Sequence, residues 1–492
     1  MRNHLLAIGI MTGNSLDGAD LVLSKFGLNG GIEDIHSLSV PFPDRLKREL
    51  RAVRAAIHEA GGRVDLAVDA LGPGTFDSIL GRYTALLDGS VADLRAKAGP
   101  FEVDLIGLHG QTCGHYPPSV AGGGNLADVH TVQVGDGQAL ADLTETSVVY
   151  DFRSDDLMAG GEGAPLAPVH HRHLAESAKA RGAFPIAFCN GGNTGNISLI
   201  SRDSASGDPK VLGWDTGPFN HFPDRLMQLQ LGRACDQDAE VGRRGASHLG
   251  LLSILFHSAV STRDGENFLL RPPPKSSDPD WYRLPPELLG EAPVGGPTLS
   301  IEDRVRTATY FASYAFCHSL ALIPAHVEPP THFAVCGGGW RNPLALADFR
   351  ALLAGRDQAP ILPEHADLFG RLRAWTANAV IAPSETFGFD GTAMEARIFA
   401  DAAVSRIKGE PFTLPATTGV AQPTVCGIIR FPRNERSKAT QPLQDWLNHF
   451  KTEAATLDLP DVFDRRWSRA TGGWQGWLPS RSFNGGWAMF DR

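Results

Sequence analysis

The sequence predicts an α/β protein whose two halves follow one plan, with a ligand cleft between them. Three observations carry that expectation. A strand ends on a glycine-rich polar turn three times at wide intervals, in LLAIGIMTGNSLDG, PIAFCNGGNTGNISLI and THFAVCGGGWRN. Two of these turns, at Gly13 and at Asn190 to Asn196, sit inside strand–turn–strand patterns, as though one device occurred once in each half. The 492 residues, 42% hydrophobic with 54 Gly and 34 Pro, are enough for roughly two or three domains with real cores.

The first hairpin shows most. LLAIGIM reads as a buried strand and ADLVLSKF as its alternating partner. Between them Gly13 and Gly18 let backbone N–H groups approach a bound group, and Asn14, Ser15, Asp17 and Asp20 add polar side chains. A solvent-facing turn is the structural alternative. VDLIGLHGQT reads as a strand ending at His109-Gly110. SVVYDFRSDDLMAGGEGAPLAPVHHRHL passes from strand through a Gly-rich loop into a helix near Pro165. After the second hairpin, KVLGWDTGPFN is a strand ending at Asp215, and FPDRLMQLQL a helix that accepts Pro223 in its first turn. Ser300 and Asp303 are spaced as a cap for a long helix, and TAMEARIFADAAVSRIK is another helix, stopped by Gly409 and Pro411. The proline-rich stretch around PPPKSS reads as an ordered surface excursion. The run His170 to His173 reads as a solvated helix face, since adjacent helical residues point in different directions.

This organisation gives a first α/β domain over 1–175 and a second over 176–431, with helix 391–408 packing back on the first. Residues 432–492 form a Trp-rich appendage holding Trp467, Trp474, Trp477 and Trp487. Its aromatics suit packing onto the body of the protein or onto a partner subunit, as in a homodimer. A net charge of −10 disfavours nucleic acid and favours a small-molecule ligand. Six scattered cysteines without a C-x-x-C pair suit a reducing compartment. The apolar run in MRNHLLAIGIM is short for a signal peptide, and no stretch reaches the roughly 20 residues of a membrane span, so the expected location is cytoplasmic.

Taken together, MTGNSLDGAD, GLHGQT, QVGDG, VVYDFRSDDLMAGGEGAPLAP, GWDTGPFN, PPPKSS, VCGGGWRN, MEARIFA and LPATTGV resemble, in order, the anhydro-N-acetylmuramic acid kinases, a family that includes levoglucosan kinase. The resemblance covers roughly residues 5 to 431. It implies a two-domain actin-like/sugar-kinase fold that binds ATP, with Mg2+, and a small anhydro-sugar in the interdomain cleft. It also implies a coupled reaction in which water opens the 1,6-anhydro bridge while the γ-phosphoryl group passes to the oxygen released at C6.

The resemblance assigns residues as well. The tip with Gly13, Asn14, Ser15, Asp17, Gly18 and Asp20 faces the ATP phosphates, with Asp17 and Asp20 candidates for the Mg2+ shell or for sugar hydroxyls. Asn190, Gly192, Asn196 and Gly217 belong to the second phosphate site, and Gly337, Gly338 and Gly339 lie against the adenosine. Arg153 and Glu395 resemble positions that face the sugar, and His109 is grouped with them, while an ion pair is the structural alternative for the first two. Asp215 is the candidate general base, because a positioned carboxylate can take a proton from attacking water, and a following helix N-terminus would help keep it ionised. A helix cap is its structural alternative.

Several positions depart from the family pattern: Asn14 replaces threonine, Phe219 replaces the glycine of DTGPGN, Glu162 replaces the glutamine of GGQGAP, and NGGNTGNIS replaces NIGGIANIT. Glu162 would disfavour acidic substrates if its loop lines the site. These departures keep open a kinase for levoglucosan or another neutral anhydro-sugar, and a catalytically weak sensor of ATP or sugar.

Overall fold

Alternation along the opening strand builds the first sheet. In β1 (His4–Thr12), Leu6, Ile8 and Ile10 enter one apolar core, and Leu5 and Ala7 enter another on the opposite face, as period-2 geometry requires. The computed structural model describes residues 2–13, 16–121, 129–262, 264–277, 279–292, 298–355, 360–433 and 439–450. The chain divides into two units, one made of residues up to 173 with those from 393 on, the other of residues 174–392.

In the first unit β1 pairs antiparallel with β2 (Gly18–Gly27), which pairs antiparallel with β3 (Ile32–Pro41). On its other side β1 lies parallel to β4 (Leu105–Tyr116), which takes β5 (His130–Val134) antiparallel and β6 (Ser147–Tyr150) parallel. In the second unit β7 (Ile186–Gly191), β8 (Thr194–Arg202) and β9 (Pro209–Pro218) form an antiparallel meander. There β10 (His332–Cys336) runs parallel to β7, and β11 (Val380–Pro383) parallel to β10. The last strand, β12 (Ile428–Arg430), returns to the first sheet against β6. The orders β3-β2-β1-β4-β6 and β9-β8-β7-β10-β11 therefore match strand for strand and direction for direction.

Two glycines position the helix that matters most in the first unit. Gly9 and Gly107 face each other across β1 and β4. A Cβ on Gly9 would lie 1.8 Å from the carbonyl oxygen of Ala396, and one on Gly107 would lie 1.9 Å from that of Phe399. The backbone of helix Met394–Lys408 thus rests directly on the sheet, and Gly409 ends it with φ +68°. Helix Gln441–His449 adds Leu443 and Trp446 to the same core, both fully buried. In the second unit helix Ile301–Leu320 is buried through most of its length, and Ser300 caps it by accepting the Asp303 N–H at 3.1 Å.

Three local expectations need correction. Strand β4 does not stop at His109-Gly110: Gly110, at φ +81°, bends it, and it continues to Tyr116 by pairing with β5. His170 and His171 are buried rather than solvated. Helix Ala167–Ala180 packs so that His170 and His173 each donate from Nδ1 to the carboxylate oxygen Asp401 Oδ2, at 2.7 and 2.8 Å. The proline-rich excursion is not merely superficial, since Lys275, Ser276, Trp281 and Tyr282 are all buried. The tryptophans at 467, 474, 477 and 487 lie outside the described residues.

Candidate active site

The hairpin tip of the first unit is tied down from both sides. The β1–β2 ladder closes at Thr12 opposite Ala19. Gln111 Nε2 donates to the Gly13 carbonyl at 2.9 Å, and the Leu16 N–H donates to the same oxygen at 3.2 Å. Leu16 takes a left-handed φ of 60°, uncommon for a bulky residue and a sign that the tip is held by its surroundings. A Cβ on Gly18 would lie 2.3 Å from the Val40 carbonyl oxygen, so this position requires glycine. Asp17 is exposed, and its carbonyl accepts from the Phe42 N–H at 2.9 Å. Asn14 and Ser15 lie outside the described residues.

Four predicted residues of this unit converge. Asp20 accepts from the Ser39 hydroxyl at 2.5 Å, and its charge reaches Glu395 at the start of helix Met394–Lys408. The Glu395 carboxyl is raised by desolvation and by Asp20, with Arg153 opposing, although the residue keeps access to solvent. Arg153 donates to His109 Nε2 at 3.1 Å and to the Gly163 carbonyl at 2.8 Å. Burial first, and Arg153 second, hold the His109 imidazole well below its usual value, so it is neutral with Nε2 as acceptor. Asp20, Glu395, Arg153 and His109 therefore form one electrostatic group. Its mixture of anion, cation and neutral ring suits sugar hydroxyls.

Glu162 is occupied elsewhere. Its carboxylate accepts the Ser119 N–H at 3.2 and 3.3 Å and the Ser119 hydroxyl at 2.5 Å, anchoring the short turn Pro118–Ala121.

In the second unit the hairpin register is defined: Asn190 pairs with Asn196 and Gly191 with Gly195, leaving Gly192 and Asn193 at the turn. That turn is gripped by the segment after β9. The N–H groups of Phe219 and Asn220 donate to the carbonyls of Asn193 and Gly192, at 2.9 and 3.0 Å. Gly337, at φ +90°, brings the glycine loop onto the hairpin so closely that a Cβ there would meet Asn190 Oδ1 at 2.3 Å. Gly338 is exposed and open, and Gly339 is buried. The Phe219 ring is also buried, packed on Trp340 at 4.5 Å and against the space that side chains on Gly191 and Gly339 would fill. A small residue at 219 would leave that space empty. The structure thus gathers Asn190, Gly192, Asn196, Gly217, Gly337 and Gly339 around one hairpin end.

Asp215 stands beside it, opposite Asn196 in the ladder and next to a β-bulge that shifts the register between Gly195 and Asn196. Asp215 Oδ2 accepts from the Ser277 N–H at 2.8 Å, the Ser277 hydroxyl at 3.2 Å and the Ser276 hydroxyl at 3.3 Å. Oδ1 has no hydrogen-bond partner among the described residues and is not sealed from solvent. Burial pushes the carboxyl up to about 6, against the pull of Ser277, Ser276 and the Lys275 ammonium.

These donors, and not a helix terminus, hold the charge of Asp215. Helix His221–Leu231 begins six residues later, with Asn220 at its cap, so Asp215 caps nothing there. Lys275, Ser276 and Ser277 escaped the sequence reading as site residues. The signal was present in PPPKSS, where two hydroxyls and a cation follow a proline run too stiff to be a floppy loop. Tyr282 completes the group, its hydroxyl 2.5 Å from Ser277 Oγ and 3.0 Å from Thr194 Oγ1.

Among the described residues no three His, Cys, Asp or Glu side chains converge as a metal-binding group. Exposed Asp17 and part-exposed Asp20 offer hard oxygen ligands of the kind Mg2+ takes alongside phosphate and water. No helix among the described residues is long and apolar enough to cross a membrane.

Comparison with known proteins identifies the family. The family described as anhydro-N-acetylmuramic acid kinase matches residues 5–361. A protein of that name from Rhizobium etli is 32% identical over 432 residues, covering 87% of this chain and 98% of its own length. One from Zymomonas mobilis subsp. mobilis is 32% identical over 429 residues, covering 87% and 100%. Among solved structures, the ligand-bound xylulose kinase from Lactobacillus acidophilus is 11% identical with a TM-score of 0.33, covering 92% of this chain and 98% of that one. With a match over most of its length and relatives aligned nearly end to end, the chain belongs to the anhydro-N-acetylmuramic acid kinase family, and its two α/β units share one strand order.

Proposed function

We propose that this protein is an ATP-dependent kinase of 1,6-anhydro-N-acetylmuramic acid, coupling hydrolytic opening of the anhydro bridge to phosphorylation at O6, as a step of cell-wall recycling. The observation that carries this reading is the state of Asp215: one carboxylate oxygen is fixed by three donors, the other has no partner among the described residues, and the carboxyl is raised to about 6. A carboxylate so placed is a better base than an ordinary aspartate while still ionised at neutral pH.

The chemistry then follows in balance. Oδ1 of Asp215 takes a proton as water oxygen bonds to C1 of the sugar. The C1–O6 bond breaks, and its electron pair stays on O6. O6 bonds to the γ-phosphorus of ATP, and the bond to the ADP oxygen breaks. Arg153, Glu395, Asp20 and neutral His109 bind and orient sugar hydroxyls. The N–H groups of the two hairpin ends and of the Gly337–Gly339 loop bind nucleotide, where phosphoryl transfer depends mainly on position and charge neutralisation. Asp17 and Asp20 are the acids that would help hold Mg2+, which would supply neutralisation of phosphate charge when bound. A cytoplasmic location and a homodimer are part of the same proposal.

Turnover in 18O-labelled water tests it. The label is expected at C1 of the product and phosphate at O6. Product free of label at C1, or phosphorylation with the bridge intact, would reject the coupled reaction.

A further inference from the structure

We infer that Lys275 is the positioning residue of the base: a buried ammonium, on the segment that hydrogen-bonds Asp215, holds that carboxyl ionised and sets the lower pH bound of turnover. The part concerning turnover rests on the proposed role of Asp215. The electrostatic part does not.

The geometry has two sides. Residues 275–277 close around Asp215, whose N–H donates to the Lys275 carbonyl at 2.9 Å while Ser276 and Ser277 donate to Oδ2. The Lys275 side chain meanwhile runs into the protein and is 8% exposed. Its ammonium donates to the carbonyls of Phe268 and Leu269, at 3.4 and 3.3 Å, and lies 4.7 Å from the centre of the Phe268 ring. All of these partners are neutral. A buried cation without a carboxylate in contact is costly, and a nearby anion offsets the cost.

Among the described residues, Asp215 is the acid that does so. The other described charged or titratable groups facing the pair do not replace it. Arg271 repels Lys275 and is itself joined to Glu266 at 2.6 Å. His318, from helix Ile301–Leu320, is held neutral by burial. Tyr282 is hydrogen-bonded to Ser277 and Thr194, and β8 presents uncharged Asn196 opposite Asp215.

The coupling runs in both directions. Burial pushes Asp215 up to about 6 and Lys275 down to about 7, and each charge moderates the displacement of the other. When Asp215 has taken the water's proton, Lys275 has lost its counter-charge. The cation then favours departure of that proton and return of the base to its ionised form.

The test replaces Lys275 by Met, of similar length and uncharged, by Gln, which is neutral but can still donate to the carbonyls of Phe268 and Leu269, and by Arg, which keeps the charge. The Asp215 carboxyl is titrated in pH-difference infrared spectra of the free protein and assigned by its absence in Asp215→Asn. In Lys275→Met or Lys275→Gln its midpoint is expected to rise by about one pH unit. The acidic limb of kcat/KM should move with it, and Lys275→Arg should keep both near the wild-type position. Should Met impair folding, Gln carries the same comparison. A midpoint unchanged in the neutral variant that folds would overturn the inference and leave Lys275 a packing residue. Failure of Asp215 as base would appear separately, as an active Asp215→Asn enzyme, and the infrared result would stand regardless.

Discussion

Replacing Asp215 by Asn is the sharpest perturbation of the proposed mechanism, because the two side chains match in size. If the amide oxygen takes the place of Oδ2, it can still accept the Ser277 N–H now at 2.8 Å and the Ser276 and Ser277 hydroxyls. The amide nitrogen then occupies the place of Oδ1, where the wild type presents a free acceptor. A donor now faces the water, so local structure survives and proton affinity does not.

The size of the loss follows from the wild-type state. With a carboxyl raised to about 6, Asp215 is mostly ionised at pH 7, so the base is competent there. Its removal forfeits a general-base contribution of roughly a hundred to ten thousand fold, about 3–5 kcal/mol in the barrier. The sign of the pH dependence follows as well. The wild-type kcat/KM should fall tenfold per unit as pH drops below about 6, where Asp215 is protonated, and the residual rate of the variant should lack that limb. ADP release measured with the anhydro-sugar, beside nucleotide affinity by calorimetry, gives the result. Near-normal turnover by Asp215→Asn, or an unaltered acidic limb in it, would refute the assignment.

Two further outcomes concern other parts of the chain. Trp446→Ala removes a fully buried ring whose Nε1–H donates to the Arg2 carbonyl at 3.0 Å. It should lower stability by about 3–5 kcal/mol in chemical denaturation, with sugar preference unchanged. An unmoved denaturation midpoint would remove Trp446 from the core. Glu162→Gln should alter the preference for anhydro-N-acetylmuramic acid over levoglucosan by less than about tenfold, because the Glu162 carboxylate is already taken up by the Ser119 N–H and hydroxyl. A larger gain for the acidic sugar, read from kcat/KM of both, would show that Glu162 repels it.

Much of the fold was legible because local pattern and global structure agree. The aliphatic run LLAIGIM and the alternation in ADLVLSKF give the first hairpin, and the second has the same form, so the doubled plan could be read from the strands and their glycine turns. Helix ends at Ser300 and Gly409 were visible through capping chemistry. Burial against distant partners was not. His170 meets Asp401 across more than two hundred residues, and a polar stretch after Pro432 conceals the core residues Leu443 and Trp446. Sequence spacing carries no trace of such contacts. The candidate base was legible as an acid at a strand end, but its basicity was not, because the groups that tune it lie some sixty residues away in a proline-rich segment.

A repeated architecture acquires its chemistry from what is laid against it. The shared meander supplies each unit with a hairpin of the same form. What differs is the element each unit lays against it. In the first, the facing glycines Gly9 and Gly107 let helix Met394–Lys408 rest on bare backbone, which delivers Glu395 towards Asp20 and Arg153. In the second, the excursion following helix Leu249–Ser258 folds back on β9 and delivers Lys275, Ser276 and Ser277 to Asp215. An aspartate on a strand end with only solvent around it would keep an ordinary carboxyl near 4 and be a weak base. Burial by this segment strengthens it as a base, while the three hydrogen bonds and the buried ammonium keep it ionised. The reactive state of Asp215 therefore belongs to the excursion as much as to the strand, and substitutions there should act on turnover without touching either substrate.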